Sequence, residues 1–590
     1  SCASDVSTTP PRSAPTAPTP TAAPLRRDED TGGSASPSPQ GTPEPGCRAT
    51  GQDQLSQSAP VQGEDKPKKK RKKAKPVVLN VASVSYDVIS EVAVDRGWTL
   101  SEAVEEAKYA SNLYWVDTIH ISQHFSKLQP WQRINHFPGM SELARKSRMA
   151  RNLARMEKAF PKEYKFHPKT WVLPDDMASF KTNFDSQGRS RQMFILKPDQ
   201  GTQGRGIFLA RNLDERITGM EGSAVAQKYL KNPMLIEGKK FDIRLYVLIT
   251  SCRPLRVYLY KDGLVRLCTK DYEPPAADCT DEAGWAKAHL TNYAINKKSK
   301  DFVDGEDGTS GSKRSLKWFM RWVAEEYGQD QADKMWGRIS GVCVKLLIAG
   351  LAQLVREYDA VWPLSRRDNT PSQCFELLGI DVMIDEKLKP WLIEVNHLPS
   401  FKTDSPIDYT IKKALMQDTF ELLKLSGGDA KQYRSQASSK AKERLQATVA
   451  TASEGMDSAA AQELLKVEQE IKRRQSRGSA SADPEGMRRL QTRAVFLEKK
   501  AGKEREAAAR RAMPVAEEAE APPEADTPEV LGDYELVYPI VDREGDDAGK
   551  RERLRERYGN LVEASVGQQC SSIARLLSRS GPRAASPAPA

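Results

Sequence analysis

Cysteine is scarce in this sequence, and long apolar runs are missing. Eight cysteines are spread over 590 residues without any C-x-x-C pair, which argues against a disulfide framework and against a zinc ribbon. No run of about 18 apolar residues occurs, so we expect no membrane-spanning helix. The Ser/Thr/Pro-rich start also lacks the apolar core of a signal peptide. These absences predict a soluble, intracellular protein.

Apolar residues are few overall, and positive charge is in excess. Hydrophobic residues make up 38% of the chain and charged residues 29%, so part of the chain is not expected to fold. Lys and Arg number 90 against 80 Asp and Glu, which gives a formal net charge of +10. This charge favours an acidic partner, namely a nucleic acid, an anionic membrane or an acidic polypeptide, without choosing among them.

Composition divides the chain into four segments. Residues 1–76 are rich in Pro, Ser and Thr and contain a lysine-rich run at 66–75, so we expect them to be disordered. The run is typical of a nuclear localisation signal or of a basic tail on an acidic surface. Residues 77–425 are densely apolar and are predicted to form the folded body, with two or three lobes. Residues 426–450 are predicted to form a basic helical element, and residues 451–590 a charged, largely disordered tail.

Within the folded body, apolar patterns predict mixed α and β structure, an α/β (α+β) fold class. Short apolar runs predict strands at 193–196, 207–210, 241–250, 257–260 and 264–268. Apolar residues at spacings of three and four predict helices at 316–327 and 336–358.

Residues 375–396 contain two β-rich runs around a polar turn, which predicts a hairpin. If the turn is symmetric about its central pair of residues, Asp381 lies opposite Glu394, and Asp385 lies opposite Pro390. Cross-strand partners have Cβ atoms about 5 Å apart. We therefore expect an aspartate and a glutamate to meet on one face of the hairpin.

Asn396 projects from the same face as Glu394, because side chains alternate along a strand. Two carboxylates and an amide are hard oxygen ligands that suit Mg²⁺, which keeps waters and is usually completed by nucleotide phosphates. The alternative is a solvent-facing polar edge whose acids are neutralised by Lys or Arg.

A strand that carries Lys197 leads into a glycine-rich loop with Gly201, Gly204, Arg205 and Gly206. Glycines let backbone N–H groups close over phosphate oxygens, and the lysine and arginine supply positive charge. The loop departs from the common nucleotide-binding signatures because a strand, not a helix, follows it. A glycine-rich hairpin turn is the alternative.

Alternation also marks the strand that begins at Lys240. Lys240, Asp242 and Arg244 share one of its faces, and the other face is apolar. A charged stripe on a half-exposed strand is the alternative. Other polar groups near this strand in the sequence are Gln227-Lys-Tyr-Leu230, Arg266, Thr291-Asn292-Tyr293 and Lys313.

The order of these motifs resembles that of the tubulin tyrosine ligase-like family. The similarity spans 77–425 and includes Ile134-Asn-His-Phe-Pro-Gly139, which is similar to the amino-terminal lobe of the family. It implies an ATP-grasp fold with amino-terminal, central and carboxy-terminal lobes. Within the family, the chain is most similar to the polyglutamylases.

The resemblance implies roles for individual residues, with ATP and Mg²⁺, expected as two ions, as cofactors. The residues that would bind ATP are Lys197, Gln203, Gly204, Arg205, Gln227, Lys228, Tyr229, Leu230, Lys240, Phe241, Asp242, Thr291 and Asn292. Those that would bind free glutamate are Gln203, Arg266, Tyr293, Lys313 and His397. Those that would hold Mg²⁺ are Asp381, Glu394 and Asn396. Those that would act in catalysis are Lys197, Arg244 and Glu394, with Arg244 stabilising the transferred phosphoryl group.

The implied activity is ATP-dependent ligation of free L-glutamate to glutamate side chains of tubulin carboxy-terminal tails. ATP would phosphorylate the side-chain carboxylate, and the amine of glutamate would then displace phosphate. Catalysis would come from positioning and charge neutralisation more than from an enzyme nucleophile. His397 and Gln203 are similar to residues of chain-elongating glutamylases, which favours elongation over branch initiation. A structural histidine bonded to the backbone is the alternative for His397.

The implied partners are tubulin and microtubules, and we expect a monomer without a membrane partner. Lys412, Lys413 and the basic stretch at 431–444 would bind the acidic tubulin tails. The expected location is the cytoplasm and cytoskeleton, with the cilium or flagellar axoneme and the basal body as further sites. Three other hypotheses are a ligase that adds glycine, a catalytically inactive microtubule-binding protein, and a nucleic-acid binder, which would explain the lysine run alone.

Overall fold

The structure is a computed structural model that describes the chain in separate ranges. These are residues 75–103, 111–117, 122–185, 192–199, 201, 204–211, 213, 215–219, 222–274, 282–362, 372–456, 459–476, 483–512, 530–541 and 547–566. The segment predicted for 1–76 lies outside the described residues except for its last two.

The elements follow one another in mixed order. The strands are β1 Val78–Ser83, β2 Thr99–Ser101, β3 Leu113–Val116, β4 Arg133–Ile134, β5 Thr170–Leu173, β6 Phe194–Pro198, β7 Phe208–Ala210, β8 Ala224–Lys228, β9 Leu235–Ile236, β10 Lys239–Cys252, β11 Leu255–Leu267, β12 Lys313–Ser315, β13 Glu376–Ile384, β14 Pro390–Asn396, β15 Val530–Leu531 and β16 Tyr534–Tyr538. The helices are α1 Asp87–Asp95, α2 Ser122–Phe125, α3 Ser141–Ala144, α4 Lys146–Ala159, α5 Met177–Asp185, α6 Glu215–Thr218, α7 Glu282–His289, α8 Tyr293–Asn296, α9 Leu316–Tyr327, α10 Gln329–Val361, α11 Pro406–Leu422, α12 Asp429–Met456, α13 Ala459–Ser476, α14 Pro484–Ala512 and α15 Ala548–Val566.

The described strands form three sheets. The strands β2-β1-β3-β4 make a parallel sheet near the start of the folded region. The strands β5-β8-β6-β7 make an antiparallel sheet. The largest sheet has eight strands, with β14-β13-β10-β11-β16-β15 in order and with β9 and β12 paired to β10 and β11. The prediction of mixed α and β structure is confirmed.

The centre of the large sheet is β10, whose two faces differ along its length. Phe241 and Ile243 point into an apolar core that also contains much of α10. On the opposite face, Tyr246 and Leu248 pack in a second core. Arg244 shares that second face but lies nearer the start of the strand, where it lines a cavity. The strand β10 therefore contributes both to the apolar cores and to the charged wall of the cavity.

The strand β11 runs through both segments that were predicted as separate strands, 257–260 and 264–268. The residues between them do not make a turn, because Gly263 lies against the backbone of β10. A Cβ at Gly263 would meet the carbonyl oxygen of Arg244 at 2.3 Å. The pairing register shifts at this point, as is typical where a glycine permits a close backbone approach.

Local sequence sets the boundary between α9 and α10. The Ser315 side chain accepts a hydrogen bond from the backbone N–H of Trp318 at 3.0 Å and so caps the start of α9. Gly328 follows α9 with a φ of 88°, a conformation that glycine adopts without strain. The predicted helix at 316–327 is confirmed, and the one predicted at 336–358 is part of the longer α10.

By length and composition alone, α10 could cross a membrane, although it contains no unbroken run of about 18 apolar residues. However, 67% of its most apolar stretch is buried inside the protein. Core helices of soluble proteins meet the same criterion. Its residues Val344, Leu347 and Leu351 belong to the main apolar core.

The prediction of a largely disordered tail at 451–590 is wrong for residues 530–541 and 547–566. The strand β16 pairs with β11 and extends the large sheet. Its Tyr534 is fully buried, and the Tyr534 hydroxyl lies 2.8 Å from the Thr419 hydroxyl of α11. From α15, Leu561 joins the main apolar core. The prediction failed because it rested on the composition of this segment, whereas the segment completes a core that the earlier chain provides.

Candidate active site

A cavity of about 880 Å³ lies between the large sheet and the antiparallel sheet formed by β5 to β8. Eleven of its lining residues are Lys or Arg, and six are Asp or Glu. This excess of positive charge suits a polyanionic ligand. The predicted site residues that line the cavity are Lys197, Gly204, Gln227, Lys228, Tyr229, Leu230, Lys240, Phe241, Asp242, Arg244, Arg266, Thr291, Asn292, Tyr293, Lys313, Asp381, Glu394, Asn396 and His397.

Two predicted site residues do not join this set. Gln203 lies outside the described residues. Arg205 is on the glycine-rich loop, but it is exposed and is not among the residues that line the cavity.

The hairpin of β13 and β14 forms one wall of the cavity. Its predicted pairing of Asp381 with Glu394 is confirmed, whereas Pro390 lies opposite Ile384 and not opposite Asp385. The register shifts by one residue after Asp381, and a turn symmetric over its whole length does not allow for that shift. Asp385 instead stabilises the turn, because one of its oxygens accepts the N–H groups of residues 387 and 389, each at 2.9 Å.

Asp381, Glu394 and Asn396 converge at the cavity end of this hairpin. The Asn396 amide nitrogen lies 3.3 Å from Glu394 Oε1 and 3.5 Å from Asp381 Oδ2. Burial, followed by the negative charge of Asp381, raises the pKa of Glu394. Among the described residues, Glu394 has no ion-pair partner, so its carboxylate is available to a cation. The oxygen donors, together with a carboxylate that forms no ion pair among the described residues, fit Mg²⁺.

Asp381 differs from Glu394 because it is already paired with arginine. Arg244 contacts it through two hydrogen bonds of 2.5 and 2.9 Å, and Arg266 lies 2.9 Å from Asp381 Oδ2. Burial alone would raise the pKa of Asp381, but the two arginines outweigh burial and hold that pKa below its usual range. The alternative of acids neutralised by arginine therefore applies to Asp381 and not to Glu394.

The charged face of β10 is confirmed, and it is buried. Lys240 and Asp242 are less than a tenth exposed, while Phe241 between them has no exposed surface on the opposite face. Asp242 pairs across the sheet with Arg266, whose Nε donates to Asp242 Oδ1 at 2.8 Å. The stripe predicted from alternation is therefore a cavity wall and not a half-exposed surface.

Lys197 lines the cavity, where the charges of Glu394 and Asp381 on the hairpin act on its ammonium. Its Nζ donates to Gln227 Oε1 at 2.9 Å, and burial lowers the pKa of Lys197 to about 8. The glycine-rich loop that follows is tied to the start of α4, since Lys146 Nζ donates to the Gly201 carbonyl oxygen at 2.9 Å. The strands that flank this loop pair antiparallel, so it is a hairpin connection as well as a cavity wall.

Several aromatic side chains lie close to the ammonium of Lys240. Lys240 Nζ donates to the Tyr229 hydroxyl at 3.2 Å and to the carbonyl oxygen of His289 at 2.9 Å. His289 also stacks on Trp285. Burial, followed by the charge of Lys240, lowers the pKa of His289 to about 4, so this imidazole is neutral. Sequence reasoning missed His289 because it belongs to no motif.

Lys412 is also in the cavity, so the prediction that it forms a microtubule-binding surface is wrong. It lies four residues after Asp408 on α11, and the spacing puts both side chains on the buried face. Lys413 points to another side and contacts Glu91 and Asp95 of α1. Helical spacing places these two lysines on different faces of α11, but it does not determine which face lines the cavity.

His397 lies beside a buried ion pair. Its Nδ1 is 3.9 Å from Glu376 Oε1, which is 3.2 Å from His136 Nδ1. The backbone contact that was the alternative for His397 is made by His136, whose Nε2 lies 2.6 Å from the carbonyl oxygen of Val116. Since the His397 side chain is 34% exposed, it is accessible from the cavity that it lines.

The fold and the site define a mixed α/β protein with a cationic cavity around a carboxylate-bearing hairpin. A sequence model of the tubulin-tyrosine ligase family matches residues 124–432, which is more than half of the chain. The chain therefore belongs to the tubulin-tyrosine ligase family.

Relatives with similar sequences carry the name of one activity. The chain is 42% identical over 363 residues to the mouse protein "Tubulin polyglutamylase TTLL6", a match that covers 62% of the chain and 42% of that relative. It is 40% identical over 380 residues to the human "Tubulin polyglutamylase TTLL13", covering 64% and 44%. It is 41% identical over 355 residues to a "Probable beta-tubulin polyglutamylase" of Tetrahymena thermophila, covering 60% and 29%. The matched region is thus less than half of each relative.

Proposed function

We propose that this chain is an ATP-dependent tubulin polyglutamylase, which joins free L-glutamate to glutamate side chains of tubulin carboxy-terminal tails. Relatives named for this activity support the proposal. The observation that carries it is the convergence of Asp381, Glu394 and Asn396 at a cavity that also contains Lys197 and Arg244. We further propose that the sheets correspond to the lobes of an ATP-grasp fold.

ATP and Mg²⁺ would bind between the hairpin and the antiparallel sheet. Asp381, Glu394 and Asn396 would hold two Mg²⁺ ions, which supply charge neutralisation for the phosphates. The buried ammonium of Lys197 faces this wall, since the charge of Glu394 acts on Lys197. Gln227 orients that ammonium by accepting its hydrogen bond at 2.9 Å. Such fixed positive charge stabilises phosphoryl transfer.

The reaction needs activation because a carboxylate is a poor acyl donor. An oxygen of the tubulin carboxylate attacks the γ-phosphorus, ADP leaves, and an acyl phosphate forms on the tubulin side chain. The amine of free glutamate then attacks the acyl carbon, phosphate leaves, and the nitrogen loses a proton to give the amide. Arg244 would stabilise the transferred phosphoryl group, and its two hydrogen bonds to Asp381 hold it in place.

Two features support further parts of the proposal. His397 lines the cavity beside Asn396, which is consistent with binding of a growing glutamate chain and favours elongation. The helix α12 carries exposed Lys431 and Lys442 and half-buried Lys440, which would attract acidic tubulin tails. We accordingly propose a location on the cytoskeleton.

Transfer of radiolabelled glutamate to microtubules, in the presence of ATP and Mg²⁺, tests this function. We expect Glu394→Gln to abolish incorporation. The matched control is Glu386→Gln, since Glu386 is exposed on the turn of the same hairpin. Incorporation that survives Glu394→Gln would refute the assignment of the site. Radiolabelled glycine in place of glutamate separates a glutamate ligase from a glycine ligase, because only a glycine ligase would incorporate it.

A further inference from the structure

A buried cluster of charged residues lies in the part of the cavity formed by α8, β12 and α11. Two of its members, Asp408 and Lys412, have no role in the function proposed above. Lys313 of β12 and Lys412 of α11 both form ion pairs with Asp408. The Lys412 ammonium lies 2.7 Å from Asp408 Oδ1, and the Ser405 hydroxyl donates to Asp408 Oδ2 at 2.7 Å. All of these residues except Ser405 line the cavity.

The cluster has one more positive than negative charge. Lys313, Lys412 and Asp408 have side chains only 5%, 6% and 5% exposed, so water screens these charges poorly. A buried charge without a partner costs more free energy than a buried charge that is paired. One further anion would balance the cluster.

The neighbouring arginines do not share this imbalance. Arg244 and Arg266 face Asp242 and Asp381, so that group contains equal numbers of positive and negative charges. An additional carboxylate would therefore be attracted to the lysine cluster more than to the arginine group.

The other charged residues near the cluster are exposed to solvent and include both signs of charge. The acids are Asp304 and Asp404, and the bases are Lys297 and Lys402. Water and salt screen exposed charges, so they change the balance little. The ring of Tyr293 lies against the cluster, with Lys313 Nζ 4.0 Å from the ring centroid. Tyr293 is also a predicted contact of the free amino acid.

We propose that Lys412 is a specificity-determining residue for the free amino acid. It supplies the excess positive charge with which the cluster of Lys313, Asp408 and Lys412 binds the side-chain carboxylate of a dicarboxylic amino acid. Asp408 is a positioning residue, because its two oxygens hold both ammonium groups at the cavity wall. The inference rests on the proposed function, which provides free glutamate as the substrate.

The test compares glutamate with glutamine, which has nearly the same shape but lacks one negative charge. In Lys412→Met, which removes the charge and keeps most of the side-chain volume, we expect the KM for glutamate to rise about 10- to 100-fold. We expect the KM for ATP and the kcat to change by less than about threefold. Preference for glutamate over glutamine should fall by the same factor as glutamate affinity, because glutamine does not use the lost charge. A merely structural role would affect both amino acids and ATP alike.

Two variants serve as controls. Lys413→Met removes the next lysine, which faces α1, and should leave the KM for glutamate unchanged. Lys412→Arg keeps the charge and should retain the preference for glutamate, so it decides the matter if Lys412→Met does not fold. The inference is overturned if folded Lys412→Met keeps the wild-type KM and preference, or if folded Lys412→Arg loses that preference. Wild-type protein that incorporates no glutamate would instead refute the proposed function.

Discussion

Asp381 and Glu394 are cross-strand partners in one hairpin, yet the pKa values of their carboxyl groups are shifted in opposite directions. Arginines neutralise Asp381, whereas Glu394 is buried beside that negative charge without an arginine of its own. Environments that separate the pKa values of two neighbouring acids are common in active sites. A bound cation should therefore stabilise the charge of Glu394 more than that of Asp381.

The pKa shift of Glu394 predicts a gain of stability when its charge is removed. Because its pKa is raised in the folded state, ionising Glu394 costs folding free energy. The metal-free protein should therefore lose stability as pH rises from about 4.3, the ordinary pKa of glutamate, through the higher folded pKa. We expect metal-free Glu394→Gln to be more stable than wild type at pH 8, and the difference to vanish at low pH.

Urea denaturation in EDTA at several pH values measures this difference. Addition of Mg²⁺ with ATP should raise the stability of wild type but not that of Glu394→Gln. A variant less stable than wild type at pH 8 in EDTA would show that ionised Glu394 does not lower the stability of the folded protein.

Replacement of Arg244 by lysine should slow the chemical step. Lysine cannot make the two parallel hydrogen bonds that hold Arg244 on Asp381, so the positive charge is no longer fixed. We expect kcat to fall about 100-fold, with little change in the KM for ATP. The matched control is Arg253→Lys, since Arg253 pairs with Asp359 outside the cavity. An unchanged kcat in Arg244→Lys would remove this arginine from the catalytic groups.

The carboxy-terminal strand β16 should be required for stability. Tyr534→Ala would leave a cavity between β11 and α11, and we expect it to lower the free energy of unfolding by about 3–5 kcal/mol. Tyr534→Phe removes only the hydrogen bond with Thr419 and should cost about 1 kcal/mol. Chemical denaturation gives both values. Tyr327→Ala, at an exposed tyrosine, is the control, and equal effects of the two alanine variants would argue that β16 does not belong to the core.

Charge on α12 should control binding to microtubules. Reversal of Lys440 and Lys442 to glutamate should weaken cosedimentation with microtubules about tenfold at low salt, and the effect should shrink as salt increases. Lys334→Glu makes the same change at an exposed position of α10 and should have little effect. If salt does not alter the difference, the contribution of α12 is not electrostatic.

The sequence predicted the central part of the site because that part is local. Asp381 and Glu394 lie on adjacent strands joined by a short turn, so alternation and turn position suffice to bring them together. The same reasoning paired Asp385 wrongly, because a single-residue shift of register within a hairpin leaves no clear sign in the sequence.

Features that depend on distant contacts could not be predicted in this way. Lys412 and Lys413 are adjacent in a basic context, and only the packing of α11 shows that one faces the cavity and the other faces α1. Likewise, β16 is ordered by an edge of the sheet that β11 supplies much earlier in the chain. His289 reaches Lys240 only after α7 packs beside β10.

Mass spectrometry of tubulin tails after reaction with ATP, Mg²⁺ and an equal mixture of free amino acids tests the central claim most directly. The account predicts tails that carry added glutamate residues with wild type and with Glu386→Gln, and unmodified tails with Glu394→Gln. Tails that remain unmodified with wild type, that gain glycine, or that gain glutamate equally with Glu394→Gln would contradict it.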